Sequence, residues 1–210
     1  MSAENAPKAI LSFRRRVGRL LPARARGWIN DLRDAYLTRR SPDRAILLRS
    51  ILPVFAALGG RILWVGCRRY TAQYPALLAA EGAEVWTLDI DEAVARWGAP
   101  GRHLTFDLAH IDELLAPRSF DAILCNGVFG FGLDEPDAQQ RALRAMARIL
   151  KAGGWLLLGW NTDRCADPLA EPALREYLVP QSLGGLGARC RVDGVTHVYD
   201  CLRRTEIPGD

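Results

Sequence analysis

The amino-acid sequence predicts an α/β protein whose sheet is doubly wound, mostly parallel and seven-stranded. Between residues 60 and 160, short apolar runs of strand length alternate with segments of helical periodicity. Such alternation indicates parallel strands with helices packed on both faces of the sheet. Towards the C-terminus, Asp193-Gly194 separates two further strand-like runs, and this dipeptide is a strong hairpin signal. We therefore expect an antiparallel hairpin to finish the parallel sheet.

Length and composition favour one main domain with an extension. The chain has 210 residues and is 49% hydrophobic, which is enough for one sizeable core. The expected division is a basic helical arm, residues 1–40, followed by an α/β domain, residues 41–210. The five cysteines form no Cys-x-x-Cys pair, so free thiols are expected and no metal site is predicted. No secretory signal is evident, and a cytoplasmic protein is the expectation.

The positive charge of the chain is concentrated in the N-terminal arm. Residues 1–40 contain ten lysines and arginines against three acidic residues, whereas the whole chain has a net charge of +4. Residues 8–40 also show amphipathic helical spacing. Three uses of the arm remain open: packing on the domain, peripheral contact with an anionic membrane, or contact with nucleic acid. No recognised nucleic-acid module accompanies the charge, which argues against the third use.

Ser41-Pro42-Asp43 predicts the start of a helix that covers the sheet. Serine caps helices, and proline and aspartate are favoured in the first turn. This helix is expected to bend near Pro53 and to end at about Leu58, because two glycines follow.

The next stretch predicts a strand, a tight turn, a helix and a second strand. An apolar run at 62–65 stops at Gly66, as expected for a strand buried on both faces. Residues 74–81 have helical spacing and are followed by Gly82, a residue favoured just after helices. The second strand ends at Asp89.

The remaining elements follow from apolar periodicity and from proline and glycine boundaries. Helices are predicted at 91–97, around Ile111 to Leu115, at 136–150 and at 172–178. Strands are predicted at 102–106, 120–125, 155–160, 187–192 and 195–203.

Polar residues follow the ends of three predicted parallel strands: Asp89, Asp107 and Asn126. In an open α/β sheet, ligands bind in the crevice outside the carboxyl ends of the strands. Gly66 and Asp89 therefore mark a candidate nucleotide pocket, in which Asp89 is placed to accept hydrogen bonds from a ribose.

With these motifs in order, the sequence resembles the class I S-adenosylmethionine-dependent methyltransferases, which have a Rossmann-like fold. The resemblance covers roughly residues 60–203 and rests on VGC, LDID, FDL, SFDAILCNGV and LKAGGWLLL, which occur in the family's order and spacing. It implies S-adenosylmethionine as cofactor. It also implies methyl transfer to an acceptor, which we expect to be a small molecule or a lipid-linked molecule.

The resemblance also implies a role for each residue of the pocket. Residues 66–68 would approach the methionyl part of the cofactor, and Asp89 would hold the ribose hydroxyls. Ile90 and residues 107–108 would contact the adenine, while residues 126–128 would lie near the sulfonium and the acceptor. The implied cofactor-binding residues are Gly66, Cys67, Arg68, Tyr70, Asp89, Ile90, Asp107, Leu108, Asn126, Gly127 and Val128. A carboxylate such as Asp107 also suits the cap of the following helix.

The loop after the first strand departs from the family pattern. The acidic-x-Gly-x-Gly-x-Gly motif corresponds here to Trp64, Gly66, Arg68 and Tyr70, so one glycine of three remains. Arg68 has the chemistry to pair with the cofactor carboxylate. Alternatively, Arg68 and Tyr70 fill the pocket. The chain would then be a catalytically inactive binding module, peripheral to a membrane through its basic arm.

The sequence selects no catalytic residue. His103, His110 and His197 are spread through the chain, and each is more readily explained as a structural or exposed residue than as a base. The loop from Phe129 to Gly132 is apolar and is expected beside the pocket, where it contacts the acceptor or closes the core.

Overall fold

The structure is a computed structural model that describes residues 41–170 and 172–205. The basic arm predicted for residues 1–40 lies outside the described residues, as does the membrane contact considered for residues 8–40. The described residues belong to one compact unit, Ser41–Asp210.

The described residues form one mixed sheet of eight strands. These are β1 (Arg61–Val65), β2 (Glu84–Asp89), β3 (His103–Thr105), β4 (Phe120–Asn126), β5 (Leu150–Asn161), β6 (Leu178–Pro180), β7 (Arg189–Arg191) and β8 (His197–Arg204). Their order is β3-β2-β1-β4-β5-β8-β6, and β7 also pairs with β8. Neighbours among β1 to β5 are parallel, whereas β8 is antiparallel to β5, β6 and β7. The predicted fold class and the predicted antiparallel hairpin are confirmed.

The sheet contains one strand more than the seven that the sequence predicts. The helix expected at 172–178 ends early, and Leu178–Pro180 forms β6 beside residues 202–204 of β8. β7 pairs with residues 198–200 of the same strand. Two short strands therefore share the edge of β8, which at eight residues is long enough to pair with both.

Helices cover both faces of the sheet. α1 spans residues 42–58 and contains Pro42–Ile46, a π-helical turn at Leu47–Ile51, and Leu52–Leu58. The other α-helices in the described residues are α2 (Tyr74–Leu78), α3 (Ile111–Leu114) and α4 (Pro136–Ile149). Short 3₁₀ segments occupy Arg69–Thr71, Ala79–Glu81, Glu92–Trp97, Leu108–His110 and Pro172–Glu176.

A bend was predicted near Pro53, and the structure has a π-helical turn, Leu47–Ile51, just before this residue. Proline has no backbone N–H, so it interrupts the hydrogen-bond ladder of a helix.

None of the helices within residues 41–170 and 172–205 has the length and apolar character needed to cross a bilayer.

β1 is buried on both faces, as its apolar run predicts. Leu63 packs with α3 and α4 in one core, and Trp64 packs with α1 and α2 in the other. The rings of Trp64 and Tyr74 meet edge to face with 5.1 Å between their centroids. Since such cores are closely packed, the carboxyl end of β1 is held firmly in place.

β5 is longer than its predicted core of 155–160. Phe120 pairs with Leu150 and Ala122 with Trp155, so the pairing with β4 skips residues 151–154. Gly153 has φ +68° in this excursion, a conformation that favours glycine. The glycines expected to separate helix from strand thus lie inside an irregular strand.

Candidate functional site

A cavity of about 420 Å³ lies at the carboxyl ends of β1, β2 and β4, a volume typical of small-molecule sites. Ten of the eleven residues that the sequence predicts to bind the cofactor line it, and Cys67 is the exception. The predicted neighbouring loop contributes Phe131 and Gly132. Five further lining residues were not predicted: Val65, Thr71, Leu88, Phe106 and Leu133. Each directly precedes or follows a predicted residue or motif.

The turn after β1 keeps its shape with a single glycine. Gly66 has φ +91°, and a Cβ there would lie 3.1 Å from Val128 Cγ2, so glycine is required. Arg68 instead has an extended backbone, with φ −145° and ψ 161°. The Trp64 indole Nε1 donates to the Gly66 carbonyl at 2.8 Å, and the Thr71 hydroxyl accepts from the Arg68 N–H at 2.9 Å. These contacts support the turn where the family pattern has glycines.

Asp89 is the polar centre of the cavity. Its Oδ2 accepts from the Cys67 N–H at 2.7 Å and from Arg68 Nη1 at 2.9 Å. Its Oδ1 accepts from the Asp91 N–H at 3.0 Å. Because a carboxylate oxygen has two lone-pair sites, Oδ2 is saturated and Oδ1 keeps one site. A second site becomes available when Arg68 moves away.

Arg68 bridges the turn and the carboxylate. Its Nη1 also donates to the Cys67 carbonyl at 2.6 Å, and its side chain is 46% exposed. The Asp89 side chain is only 6% exposed, so solvent screens this ion pair from the arginine side alone. Another carboxylate can therefore reach the Arg68 guanidinium from the solvent side.

Cys67 contributes its backbone rather than its side chain. The thiol is buried behind the cavity wall. Burial and, to a smaller extent, the nearby Asp89 carboxylate raise the pKa of this thiol to about 11. The thiol is therefore neutral, and Cys67 contacts the site through its N–H, which donates to Asp89, and through its carbonyl, which accepts from Arg68 Nη1.

Ile90 and Asp107 form the side of the cavity where the adenine was predicted. Ile90 is 69% exposed at the rim, which is unusual for a large apolar residue directly after a strand. Asp107 Oδ1 accepts from the Ala109 N–H at 2.9 Å and so caps the segment Leu108–His110. Capping leaves other acceptor sites of the Asp107 carboxylate available to a ligand.

Asn126 is held by a buried histidine from β8. His197 Nε2 lies 3.0 Å from Asn126 Oδ1, and His197 Nδ1 lies 2.8 Å from Asn161 Oδ1. Burial lowers the pKa of His197 to about 4, although Asp43 opposes the effect. A neutral imidazole donates one hydrogen bond and accepts one, so one of the two carboxamides must turn its NH₂ towards the ring.

His197 therefore orients a lining residue and does not itself line the cavity. With its Oδ1 towards the ring, Asn126 has its Nδ2 buried without a hydrogen-bond partner among the described residues. Turning the carboxamide would pair Nδ2 with the ring and leave Oδ1 without a partner instead. Histidine is absent from the cavity wall in the described part of the chain. Within residues 41–170 and 172–205, no cluster of three or more His, Cys, Asp or Glu side chains could hold a metal ion.

The fold and the position of the cavity are similar to those of the class I S-adenosylmethionine-dependent methyltransferases. Residues 63–158 match the family model described as "Methyltransferase domain". The family resemblance indicated by the sequence is thereby confirmed, and S-adenosylmethionine is the cofactor of this class. No curated protein matches the chain.

Solved structures show the same fold. N-methyltransferase NodS from Bradyrhizobium japonicum in complex with S-adenosyl-L-homocysteine is 16% identical, with a TM-score of 0.62 over 84% of this chain and 97% of that chain. A TehB-like SAM-dependent methyltransferase from Corynebacterium glutamicum is 19% identical, with a TM-score of 0.60 over 88% and 100%. The 1,6-didemethyltoxoflavin-N1-methyltransferase of Burkholderia thailandensis is 20% identical, with a TM-score of 0.55 over 89% and 92%.

Proposed function

We propose that the protein binds S-adenosylmethionine in this cavity and transfers its methyl group to a small-molecule or lipid-linked acceptor. The proposal rests chiefly on one observation: ten of the eleven predicted residues line a single cavity with a strand-end carboxylate at its centre. A neighbour in structure is named for the methylation of 1,6-didemethyltoxoflavin, which supports a small molecule as acceptor.

The cavity has the chemistry that the cofactor requires. Asp89 Oδ1 accepts one ribose hydroxyl, and Oδ2 accepts the second after Arg68 has moved. The exposed side chain of Ile90 offers an apolar surface to the adenine. In the same proposal the Arg68 side chain moves from Asp89 to the carboxylate of the cofactor, where a bidentate ion pair is favourable.

When bound, S-adenosylmethionine supplies an electrophilic methyl group on a sulfonium. The chain then has to hold the acceptor atom in line with that methyl group and to exclude water. Asn126, Gly127 and Val128 line the wall at this end. Since the cavity wall contains no histidine within the described residues, we propose that positioning rather than a dedicated base does most of the work.

The contact between Arg68 and Asp89 also supports one alternative. In a catalytically inactive, methyltransferase-like binding module, Arg68 would keep Asp89 permanently, and the ribose would have no carboxylate to bind. That module would act through a partner, at a membrane if residues 8–40 contact lipid. The two candidates differ in whether the protein binds the cofactor.

Calorimetric titration with S-adenosylhomocysteine tests the proposal directly. We expect the wild type to bind, and Asp89→Asn to bind about 30-fold more weakly because it loses hydrogen bonds to a charged carboxylate, an effect of about 2 kcal/mol. Asp91→Asn is the matched control, since its neighbouring carboxylate lies outside the cavity wall. Absence of binding by the wild type at millimolar ligand would instead favour the inactive module.

Two further expectations belong to the proposal. We propose that residues 41–210 are the methyltransferase-like domain and that residues 1–40 are a basic arm. We also propose a cytoplasmic location, supported by the five cysteines, all of which are free thiols, as expected in a reducing compartment.

A further inference from the structure

Arg44, in the first turns of α1, is a buried cation that the fold does not fully satisfy. The residue is only 8% exposed. Its Nη1 is buried and has no hydrogen-bond partner among the described residues. Asp43 lies 3.7 Å from Nε, which supplies a compensating charge but is too long for a hydrogen bond. Burying a guanidinium with a donor unpaired is costly.

The guanidinium lies directly behind the acceptor end of the cavity. Its Cζ is 5.1 Å from the centre of the Tyr70 ring, and Tyr70 lines the cavity. Its Nη2 lies 3.9 Å from the point that a Cβ on Gly127 would occupy. Gly127, which also lines the cavity, has no side chain, so the wall is thin where the cation approaches it.

The surroundings keep Arg44 charged. Burial lowers the pKa of the guanidinium, but Tyr70, Tyr199, Tyr74 and Asp43 together raise it more, so the pKa lies above its ordinary value. The Tyr199 hydroxyl donates to the Asp43 carbonyl at 3.1 Å, which ties the first turn of α1 to β8. The backbone that carries Arg44 is therefore fixed to the sheet, and its guanidinium is buried.

We propose that Arg44 binds an anionic group, a carboxylate or a phosphate, on the methyl acceptor. This inference rests on the proposed function, because it assigns the acceptor class of the same cavity. A guanidinium offers several N–H donors in one plane, a geometry that suits both groups. The guanidinium is already desolvated, so an anionic oxygen that reached it past Gly127 would pair with it without a further dehydration cost on the protein side.

The test measures anion binding to protein saturated with S-adenosylhomocysteine. The probes are benzoate, phenyl phosphate and neutral benzamide, at matched ionic strength, followed by NMR shift titration. We expect the wild type to bind benzoate, phenyl phosphate or both more tightly than benzamide, and the stronger of the two identifies the group. Arg44→Met should weaken the binding of that anion at least about tenfold and leave the affinity for benzamide unchanged. Arg49→Met, on the exposed side of the same helix, is the matched control and should behave as the wild type.

Thermal unfolding separates a binding role from a structural one. Replacing an incompletely paired buried cation by an apolar side chain of similar length is often neutral or stabilising, so we expect Arg44→Met to melt at or above the wild-type temperature. If Arg44→Met does not fold, Arg44→Lys decides: anion binding weakened about threefold or more supports the proposal, and unchanged binding overturns it.

The outcomes distinguish this inference from the proposed function. Failure of the wild type to bind S-adenosylhomocysteine would refute the proposed function itself. Normal binding of S-adenosylhomocysteine with equal affinity for benzamide and both anions would overturn only the role of Arg44, as would an anion preference that survives Arg44→Met.

Discussion

At the end of the cavity proposed for the cofactor, the protein's own groups surround the polar centre, whereas at the end proposed for the acceptor buried polar atoms lack partners among the described residues. Asp89 accepts three hydrogen bonds from the protein. Arg44 Nη1 and one polar atom of the Asn126 carboxamide are buried and unpaired within that same described set. Ligand binding is thus an exchange of partners at one end and an addition of partners at the other.

This difference has consequences for affinity and stability. An exchange gains little, because the contact between Arg68 and Asp89 is lost as the contacts of the ribose form. An addition gains more per contact, because the cost of desolvating the donor has been met during folding. The unpaired groups at the acceptor end should therefore lower the free energy of unfolding of the free protein. The groups at the cofactor end should exchange partners more readily.

The largest expected effect concerns His197, which orients Asn126. Because its pKa is lowered to about 4 in the folded protein, the unfolded chain binds its proton more readily, near pH 6.5. The stability that neutral His197 provides is complete above about pH 6.5 and is lost as the pH falls towards 4, by about 3 kcal/mol in total.

Urea unfolding from about pH 7 to about pH 4 measures this loss. We expect His197→Gln to show a pH dependence flatter by about 3 kcal/mol. His110→Gln, at a partly exposed histidine, should follow the wild type. Parallel curves for wild type and His197→Gln would mean that the ring is charged in the folded state.

A methyl group at Gly159 should disturb the acceptor end next most strongly. A Cβ at this position would lie 1.9 Å from Asn126 Oδ1 and 3.0 Å from His197 Nε2. We expect Gly159→Ala to lower the free energy of unfolding by about 2 kcal/mol through overpacking. The control is Gly82→Ala, where φ is +89° but nothing lies within 4 Å of the added Cβ. There backbone strain alone costs about 1 kcal/mol. An equal loss of stability at both sites would show that the side chains of Asn126 and His197 move aside at little cost.

The smallest expected effect tests the exchange at the cofactor end. We expect Arg68→Met to weaken the binding of S-adenosylhomocysteine about fivefold, because an exposed ion pair with the ligand carboxylate contributes about 1 kcal/mol. Binding of 5′-methylthioadenosine, which lacks the amino-acid part, should be unchanged or tighter because Asp89 loses its competitor. Arg69→Met, at an exposed neighbour, is the control. If both ligands bind Arg68→Met more tightly, Arg68 only blocks the ribose site and does not pair with the carboxylate.

Local sequence patterns were enough to predict the fold and the strand-end residues of the cavity wall, and the family resemblance implied most of the other wall residues. Apolar runs that stop at Gly66, Asp89 and Asn126 identify strand ends, and parallel strands bring their carboxyl ends to one edge of the sheet. The wall could therefore be predicted without knowledge of any side-chain contact. The strand count was one too low, because the pairing of Leu178–Pro180 with β8 depends on a distant strand and not on local propensity.

The sequence by itself determined the fold class, the parallel order of strand and helix, and the residues at the strand ends, because these depend on periodicity and on glycine and proline boundaries. Only the tertiary structure decided the partners of the charged and polar groups. His197 meets Asn126 across 71 residues of sequence, and Arg44 from α1 lies against Gly127 at the cavity. Such contacts depend on how separate elements pack together, and no local pattern encodes which donor that packing leaves buried and unpaired.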